Sequence, residues 1–202
     1  MLLAFCFFKL RIWKKRWSLL HLFFWKNKMA IQKKCFIKLI LMAREPILMA
    51  VCGKKGVGKS FTTMKQLREY VRITPKRKVL IFDVNNEYSD KTKFPDIRAI
   101  ALKDIKSFSQ SKVPEIRRVA PFFDDGTKMT LDDMAVTLQW LVRNFYNGLL
   151  LIEDINKYVS DNMPGDLIGA ICTNRHSGVD IILHYQSVGR LSPKVWQNIN
   201  HL

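Results

Sequence analysis

The sequence predicts an α/β fold in which helices cover both faces of a mostly parallel β-sheet. Almost wholly apolar runs occur at residues 47–52, 79–82, 149–152 and 179–184. Short runs of this kind are typical of strands that are buried on both faces. Segments with apolar residues at helical spacing lie between these runs. Strands that alternate with helices favour a parallel sheet.

The first apolar run leads directly into Gly53–Ser60, which reads GKKGVGKS. This is the G-x-x-x-x-G-K-S pattern of a P-loop, placed after a strand as the motif requires. Its glycines permit a tight turn that aims backbone N–H groups at phosphate oxygens. Lys59 is expected to reach the β- and γ-phosphates of a nucleotide, and the Ser60 hydroxyl to hold Mg²⁺. The predicted nucleotide-binding residues are Gly53, Lys54, Lys55, Gly56, Val57, Gly58, Lys59, Ser60 and Phe61.

Two long helices are expected. The first starts near Lys59 and ends by Pro75, and its apolar residues at helical spacing are Phe61, Met64, Leu67 and Val71. The second starts at Thr130–Asp133, which resembles a capping box. Asn147-Gly148 is expected to end this second helix. Less regular patterns predict shorter elements: strands at 97–102 and 117–123, a helix or loop at 103–109, and helices at 165–173 and from Leu191 onward.

The second strand is followed by the turn-forming segment 83–88, DVNNEY. Asp83 and Glu87 in this segment fall at the edge of the sheet where ligands bind in open α/β folds. Three roles are open to them. They bind the water shell of a metal, position a nucleophile, or cap a turn.

The third strand ends in Glu153 and Asp154, which have the form of a Walker B element. A buried strand delivers these carboxylates beside the P-loop, where Mg²⁺ needs a ligand directly or through water. Glu153 is expected to bind the metal and Asp154 to orient or deprotonate the attacking water. The usual order is Asp-Glu, and the shorter Asp154 reaches less far. Either carboxylate can therefore be the one that activates the water.

The fourth strand is flanked by two further candidates for the catalytic site. Gln186 lies just past its end, where an amide can sense the γ-phosphate. Arg175 precedes the strand and is either an arginine finger that completes a neighbouring subunit's site or a surface arginine. His176 and His184 lack metal-ligand spacing and are expected to be structural.

The net charge of +17 is unevenly distributed. Residues 1–46 hold eleven Lys and Arg against one acid, so that segment carries +10 and the remaining 156 residues carry +7. A mildly basic enzyme is compatible with an anionic polymer as its partner. The cysteines form neither close pairs nor a metal-ligand spacing. Cys52 and Cys172 are expected to be reduced and buried, in an intracellular compartment.

Residues 1–41 alternate apolar runs with basic clusters and lack the ~20 uninterrupted apolar residues of a membrane-spanning helix. We expect them to be a disordered extension or upstream sequence read through, with a functional start at Met42. The alternative is a membrane-surface or partner-binding segment within residues 1–46. The predicted catalytic domain spans residues 42–202, and its end soon after the Gln186 segment suggests truncation.

Two blocks resemble the HerA/FtsK-type ATPases. Residues 82–89, FDVNNEYS, are similar to that superfamily's D-p-x-G-E-Y-s segment, with Asn86 where glycine is usual. Residues 174–187, NRHSGVDIILHYQS, are similar to its R-h-x-g-x-d-i-i-x-x-x-Q-s block, and residues 191–195, LSPKV, to its continuation. The resemblance implies a RecA-like (ASCE) P-loop NTPase. It assigns phosphate binding to Lys59, the metal to Ser60 and Glu153, the catalytic water to Asp154, γ-phosphate sensing to Gln186 and a trans-acting finger to Arg175.

The same resemblance implies a ring, usually hexameric, that hydrolyses ATP with Mg²⁺ and moves DNA. A viral DNA-packaging ATPase in the host cytoplasm is the expected function, because the chain is small. One alternative is a filamentous-phage assembly or export ATPase, like zonula occludens toxin, at the inner membrane. A small-molecule or nucleotide kinase and a nucleotide-gated binding switch are further alternatives.

Overall fold

The structure is a computed structural model that describes residues 46–54, 56–159, 165–172 and 178–199. The expectations for residues 1–41, the start at Met42 and the roles of Lys55 and Arg175 lie outside the described residues. The domain boundary at residue 42 therefore stays a prediction. Within the described ranges, no helix is both long and apolar enough to cross a membrane.

Six strands form one parallel sheet, which confirms the predicted α/β fold. They are β1 (Leu48–Cys52), β2 (Lys78–Phe82), β3 (Arg98–Ala99), β4 (Ile116–Val119), β5 (Gly148–Ile152) and β6 (Asp180–Tyr185). Their order across the sheet is β1-β6-β5-β2-β4-β3, and every pairing is parallel. The carboxyl ends of β1, β6, β5 and β2 consequently lie side by side, where the sequence placed its candidate catalytic residues.

Within the described ranges five α-helices accompany the sheet: α1 (Lys59–Ile73), α2 (Ile105–Gln110), α3 (Leu131–Asn144), α4 (Gly165–Cys172) and α5 (Pro193–Asn198). A large hydrophobic cluster combines β-strand side chains with apolar residues of α2, α3, α4 and α5. Leu80, Leu150 and Ile182, which occupy the middle of their strands, are almost completely buried. Cys52 and Cys172 are free thiols that are only half-buried, rather than fully buried as expected.

The inner face of α1 differs from the predicted one. Its buried residues are Thr63, Met64, Leu67 and Tyr70. Phe61 is instead 58% exposed. Phe61 lies on the first turn of the helix, which starts at Lys59. The first buried residue of the helix is Thr63, two positions later.

Helix α3 begins as predicted and ends earlier than predicted. The Thr130 side chain accepts from the backbone N–H of Asp133, and the Asp133 carboxylate accepts from the backbone N–H of Thr130, which completes a capping box. The helix ends at Asn144, and Gly148 is the first residue of β5 rather than a helix stop. A side chain at position 148 would collide with the backbone carbonyl of Lys78 on the neighbouring strand.

Asp180 joins three elements at the amino-terminal edge of the sheet. Its carboxylate accepts from the backbone N–H of Ile47 at 2.8 Å and from the Tyr70 hydroxyl at 2.6 Å. The Arg77 guanidinium lies 3.3 Å away. Burial and the neighbouring Asp180 charge raise the pKa of Tyr70, so this hydroxyl stays a proton donor. Asp180 thus ties the P-loop strand, the P-loop helix and β6 together.

We predict that Tyr70→Phe lowers the free energy of unfolding by about 2 kcal/mol, because a buried carboxylate loses a donor. Tyr146→Phe is the matched control, since Tyr146 is 38% exposed and its loss should stay within about 0.5 kcal/mol. Urea denaturation followed by circular dichroism measures both. Equal losses in the two variants would contradict the role assigned to Asp180.

Candidate functional site

The carboxyl ends of the central strands surround a cavity of about 880 Å³. Its walls combine P-loop residues with residues that follow β2, β5 and β6: Gly56, Gly58, Lys59, Ser60, Phe61, Asn85, Glu87, Glu153, Asp154, Lys157, His184 and Gln186. The structure therefore brings the predicted Lys59, Ser60, Glu153, Asp154 and Gln186 to one place. Glu87, whose role the sequence left open, joins them, as do Asn85, Lys157 and His184, which were not predicted as site residues.

The P-loop has the geometry that its glycines suggested. Gly56 and Gly58 have φ values of 84° and 83°, in the left-handed region that favours glycine. A Cβ atom on Gly53 would come within 2.9 Å of Val57 Cγ2. The Lys59 ammonium donates to the Gly53 carbonyl at 2.6 Å and to the Lys54 carbonyl at 3.2 Å. The loop thus presents a cation and the amino-terminal end of α1 at the cavity, which suits an anionic ligand.

Glu153 is only 2% exposed and is held from two sides. The Tyr88 hydroxyl donates to its Oε1 at 2.7 Å, and His184 Nδ1 lies 3.1 Å from the same oxygen. His184 Nε2 lies 2.9 Å from Thr63 Oγ1 on α1. His184 therefore has the structural surroundings expected of it, as a link between β5 and the P-loop helix.

The loop after β2 is built around Asp83, which is fully buried. Its carboxylate accepts from the backbone N–H groups of Glu87 at 2.8 Å and Tyr88 at 3.0 Å. Arg118 Nη1 lies 3.0 Å away and also donates to the Asn86 side chain at 2.7 Å. Of the three roles open to Asp83, the structure shows the capping of a turn. Burial raises the pKa of Asp83 to about 6, although these donors act in the opposite direction.

The backbone conformation of Asn86 accounts for the glycine that is usual at this position in the ATPase segments that residues 82–89 resemble. Its φ of 56° lies in the left-handed region. Glycine adopts this conformation without strain, and asparagine tolerates it better than most residues do.

Glu87 lies beside the P-loop serine. The Ser60 hydroxyl donates to Glu87 Oε2 at 3.1 Å. Partial burial and the nearby Glu153 charge raise the pKa of Glu87. Glu87 could be singled out in the sequence because it lies in the turn-forming segment at the edge of the sheet where ligands bind. That position alone left the role of Glu87 open.

Asp154 occupies a turn of its own. Its φ of 39° is left-handed. Asn85 Nδ2 donates to Asp154 Oδ2 at 2.9 Å, and the Lys157 ammonium donates to Asn85 Oδ1 at 2.9 Å. Gln186 is exposed at the cavity, and its backbone N–H lies 3.4 Å from Asn156 Oδ1. The Asp154 carboxylate is therefore oriented by the loop after β2.

The chemistry of these groups fits Mg²⁺. A hydroxyl, Ser60, and three carboxylates, Glu87, Glu153 and Asp154, border one cavity, and oxygen atoms are the ligands that Mg²⁺ prefers. No three His, Cys, Asp or Glu side chains within the described ranges converge into a metal cage. Mg²⁺ characteristically keeps several waters and takes one or two protein carboxylates together with substrate phosphates.

A family model and several solved structures match this chain. The family model described as "Helicase HerA, central domain" matches residues 48–159, from β1 past Asp154. The genome packaging NTPase B204 from Sulfolobus turreted icosahedral virus 2, in complex with AMP, is 22% identical over 78% of this chain and 73% of that one, with a TM-score of 0.53.

The DNA-packaging ATPase B204 from Sulfolobus turreted icosahedral virus is 18% identical over the same shares, with a TM-score of 0.50. At such identities these structures show the fold. The comparison with curated proteins found no match.

The raised pKa of Asp83 predicts a pH dependence of stability. Its pKa is about 6 in the folded state against 3.8 for an ordinary aspartate, so between these values the folded chain binds more protons than the unfolded chain. Through this group the free energy of unfolding falls as the pH rises from about 4 to about 6, by on the order of 3 kcal/mol.

Urea denaturation across this pH range, in the wild type and in Asp83→Asn, measures the effect as the difference between the two curves. Asp132→Asn serves as the control, because Asp132 is exposed on the first turn of α3. If the wild type and Asp83→Asn change in parallel with pH, the raised pKa is wrong.

Proposed function

Because the chain belongs to the family of the central domain of the helicase HerA, we propose that it is an ATP-hydrolysing motor that translocates or packages viral DNA. The observation that carries this proposal is the single cavity that unites the P-loop, the two acids after β5 and Gln186. The two B204 structures are of a genome packaging NTPase and a DNA-packaging ATPase. The same function is proposed here for this chain, as a ring in the cytoplasm of the host cell.

In the proposed mechanism the P-loop binds the triphosphate of ATP. Backbone N–H groups of Gly56 and Gly58 and the Lys59 ammonium face the β- and γ-phosphates. Ser60 and Glu153 are the proposed ligands of Mg²⁺, Glu153 directly or through water. Mg²⁺ held by these residues would offset the charge of the phosphates. The remaining residues place the water and report on the γ-phosphate.

Asp154 is the proposed residue that orients the attacking water. Its carboxylate borders the cavity and is fixed by Asn85. Glu153 is less suited to this task, because its Oε1 is held by both Tyr88 and His184. A positioned carboxylate that accepts a proton contributes typically 10²- to 10⁴-fold to rate.

Gln186 and Arg175 are the proposed links between hydrolysis and movement. The exposed Gln186 amide, just past β6, is proposed to contact the γ-phosphate and to respond to its loss. Arg175 is proposed to act on the site of a neighbouring subunit, where an arginine would offset charge on the transferring phosphoryl group.

Lys59→Ala is expected to reduce ATP turnover by roughly 100-fold or more, because the phosphates lose a charged donor in the cavity. Lys103→Ala is the control, since Lys103 is largely exposed and faces Asp124 away from the cavity. Steady-state phosphate release measures both variants. Full activity in Lys59→Ala would rule out this cavity as the catalytic site.

Double-stranded DNA is expected to raise the ATPase rate several-fold, since a motor couples turnover to its polymer. The rate is measured on the full chain with and without DNA, and the assembly state is measured by light scattering. A folded ring whose rate ignores DNA would contradict the DNA motor. Transfer of phosphoryl groups to a nucleoside would favour the kinase instead, and sedimentation with inner-membrane vesicles would favour the phage-assembly ATPase.

A further inference from the structure

The hydrogen-bond partner of the Ser60 hydroxyl comes from the loop after β2 rather than from the acids after β5. Ser60 Oγ donates to Glu87 Oε2 at 3.1 Å, and Glu87 lies in the loop after β2. A serine hydroxyl has one proton and two lone pairs. When its proton is directed to a carboxylate, its lone pairs remain for a cation, and the negative charge of the acceptor strengthens the hydrogen bond.

Glu153, the acid that follows β5, is engaged elsewhere. Its Oε1 takes the Tyr88 hydroxyl at 2.7 Å and lies 3.1 Å from His184 Nδ1. The side chain is 2% exposed. Glu87, by contrast, is exposed at the cavity. The carboxylate that is both at the cavity and bonded to the P-loop serine is therefore Glu87.

The position of Glu87 is built into the fold. The Glu87 N–H is fixed on Asp83 Oδ1 at 2.8 Å, and the next N–H, that of Tyr88, on Asp83 Oδ2 at 3.0 Å. Arg118 binds Asp83 and Asn86 together. Tyr88 then reaches Glu153, so one short turn delivers two side chains to two different partners in the site.

We propose that Glu87 is a positioning residue for Mg²⁺: it orients the Ser60 hydroxyl so that an oxygen lone pair faces the metal of the bound nucleotide. This proposal rests on the proposed ATPase function. It gives one role to Glu87, for which the sequence left three open: the orientation of a hydroxyl that binds the metal. Glu153, which Tyr88 and His184 hold, keeps its proposed role as a ligand of Mg²⁺, directly or through water.

The experiment measures Mg²⁺ affinity separately from nucleotide affinity. A fluorescent, non-hydrolysable ATP analogue is titrated into the full chain with excess EDTA, and Mg²⁺ is then titrated into the chain saturated with analogue. The variants are Glu87→Gln, which keeps an acceptor without the charge, and Glu87→Ala, which removes both. Glu115→Gln is the matched control, because Glu115 pairs with Arg117 at the amino-terminal end of β4.

Glu87→Gln is expected to weaken Mg²⁺ binding by roughly 10-fold, and Glu87→Ala by more, within the 10- to 100-fold range seen when the partner of a metal ligand is removed. Analogue binding in EDTA should change by less than about 2-fold, because the phosphate-binding loop is untouched. Glu115→Gln should match the wild type. In Glu87→Gln, ATP turnover should lie closer to the wild-type rate at saturating Mg²⁺ than at limiting Mg²⁺.

Each other result has a definite meaning. If the wild type binds no nucleotide, the proposed function fails. If the wild type requires Mg²⁺ for ATP turnover, and both Glu87→Gln and Glu87→Ala bind Mg²⁺ as tightly as the wild type does, the inference is overturned. The ATPase function would stand in that case. If the Glu87 variants lose analogue binding in EDTA to the same extent, Glu87 supports the loop rather than the metal, which also overturns it.

Discussion

A buried carboxylate at the end of β2 sets the geometry of the whole site. Asp83 has no access to solvent, so its oxygen atoms need donors from the protein. They obtain them from the N–H groups of Glu87 and Tyr88 and from Arg118. Satisfying one acid in this way folds the chain into a tight turn. That turn aims the Glu87 and Tyr88 side chains at the P-loop and at β5.

A second buried carboxylate does similar work at the opposite edge of the sheet. Asp180 joins β6 to Tyr70, near the end of α1, while His184, further along the same strand, contacts Thr63 near the start of α1. The P-loop helix is therefore attached to β6 at both ends. Because Gln186 follows that strand directly, the helix that carries Ser60 and the amide proposed to sense the γ-phosphate belong to one continuous unit.

Local patterns in the sequence predicted what local forces decide. The apolar runs gave the four central strands, the glycines gave the P-loop turn, and Thr130 with Asp133 gave the helix cap. The strand β4 was harder to bound, because its IRRV sequence places Arg117 and Arg118 inside it.

Contacts between distant segments could not be predicted, since neither segment contains a pattern that identifies the residue it contacts. Glu153 meets Tyr88 across 65 residues, and Ser60 meets Glu87 across 27. Lys78 reads as part of a basic turn, yet it opens β2 fully buried, with its ammonium donating to the Ser109 and Ser111 carbonyls.

The place of β1 in the sheet has a consequence for biosynthesis. β1 pairs with β6, and the Asp180 carboxylate that accepts the Ile47 N–H lies 133 residues downstream. A ribosome makes the P-loop early but supplies the strand that supports it only after about 130 more residues have emerged, at roughly 5–20 residues per second. During those seconds β6, the strand that pairs with the apolar strand β1, has not yet been synthesised. Closing so long a loop is slow and leaves the nascent chain prone to aggregation. Nucleotide binding would thus have to wait until β6 has emerged from the ribosome.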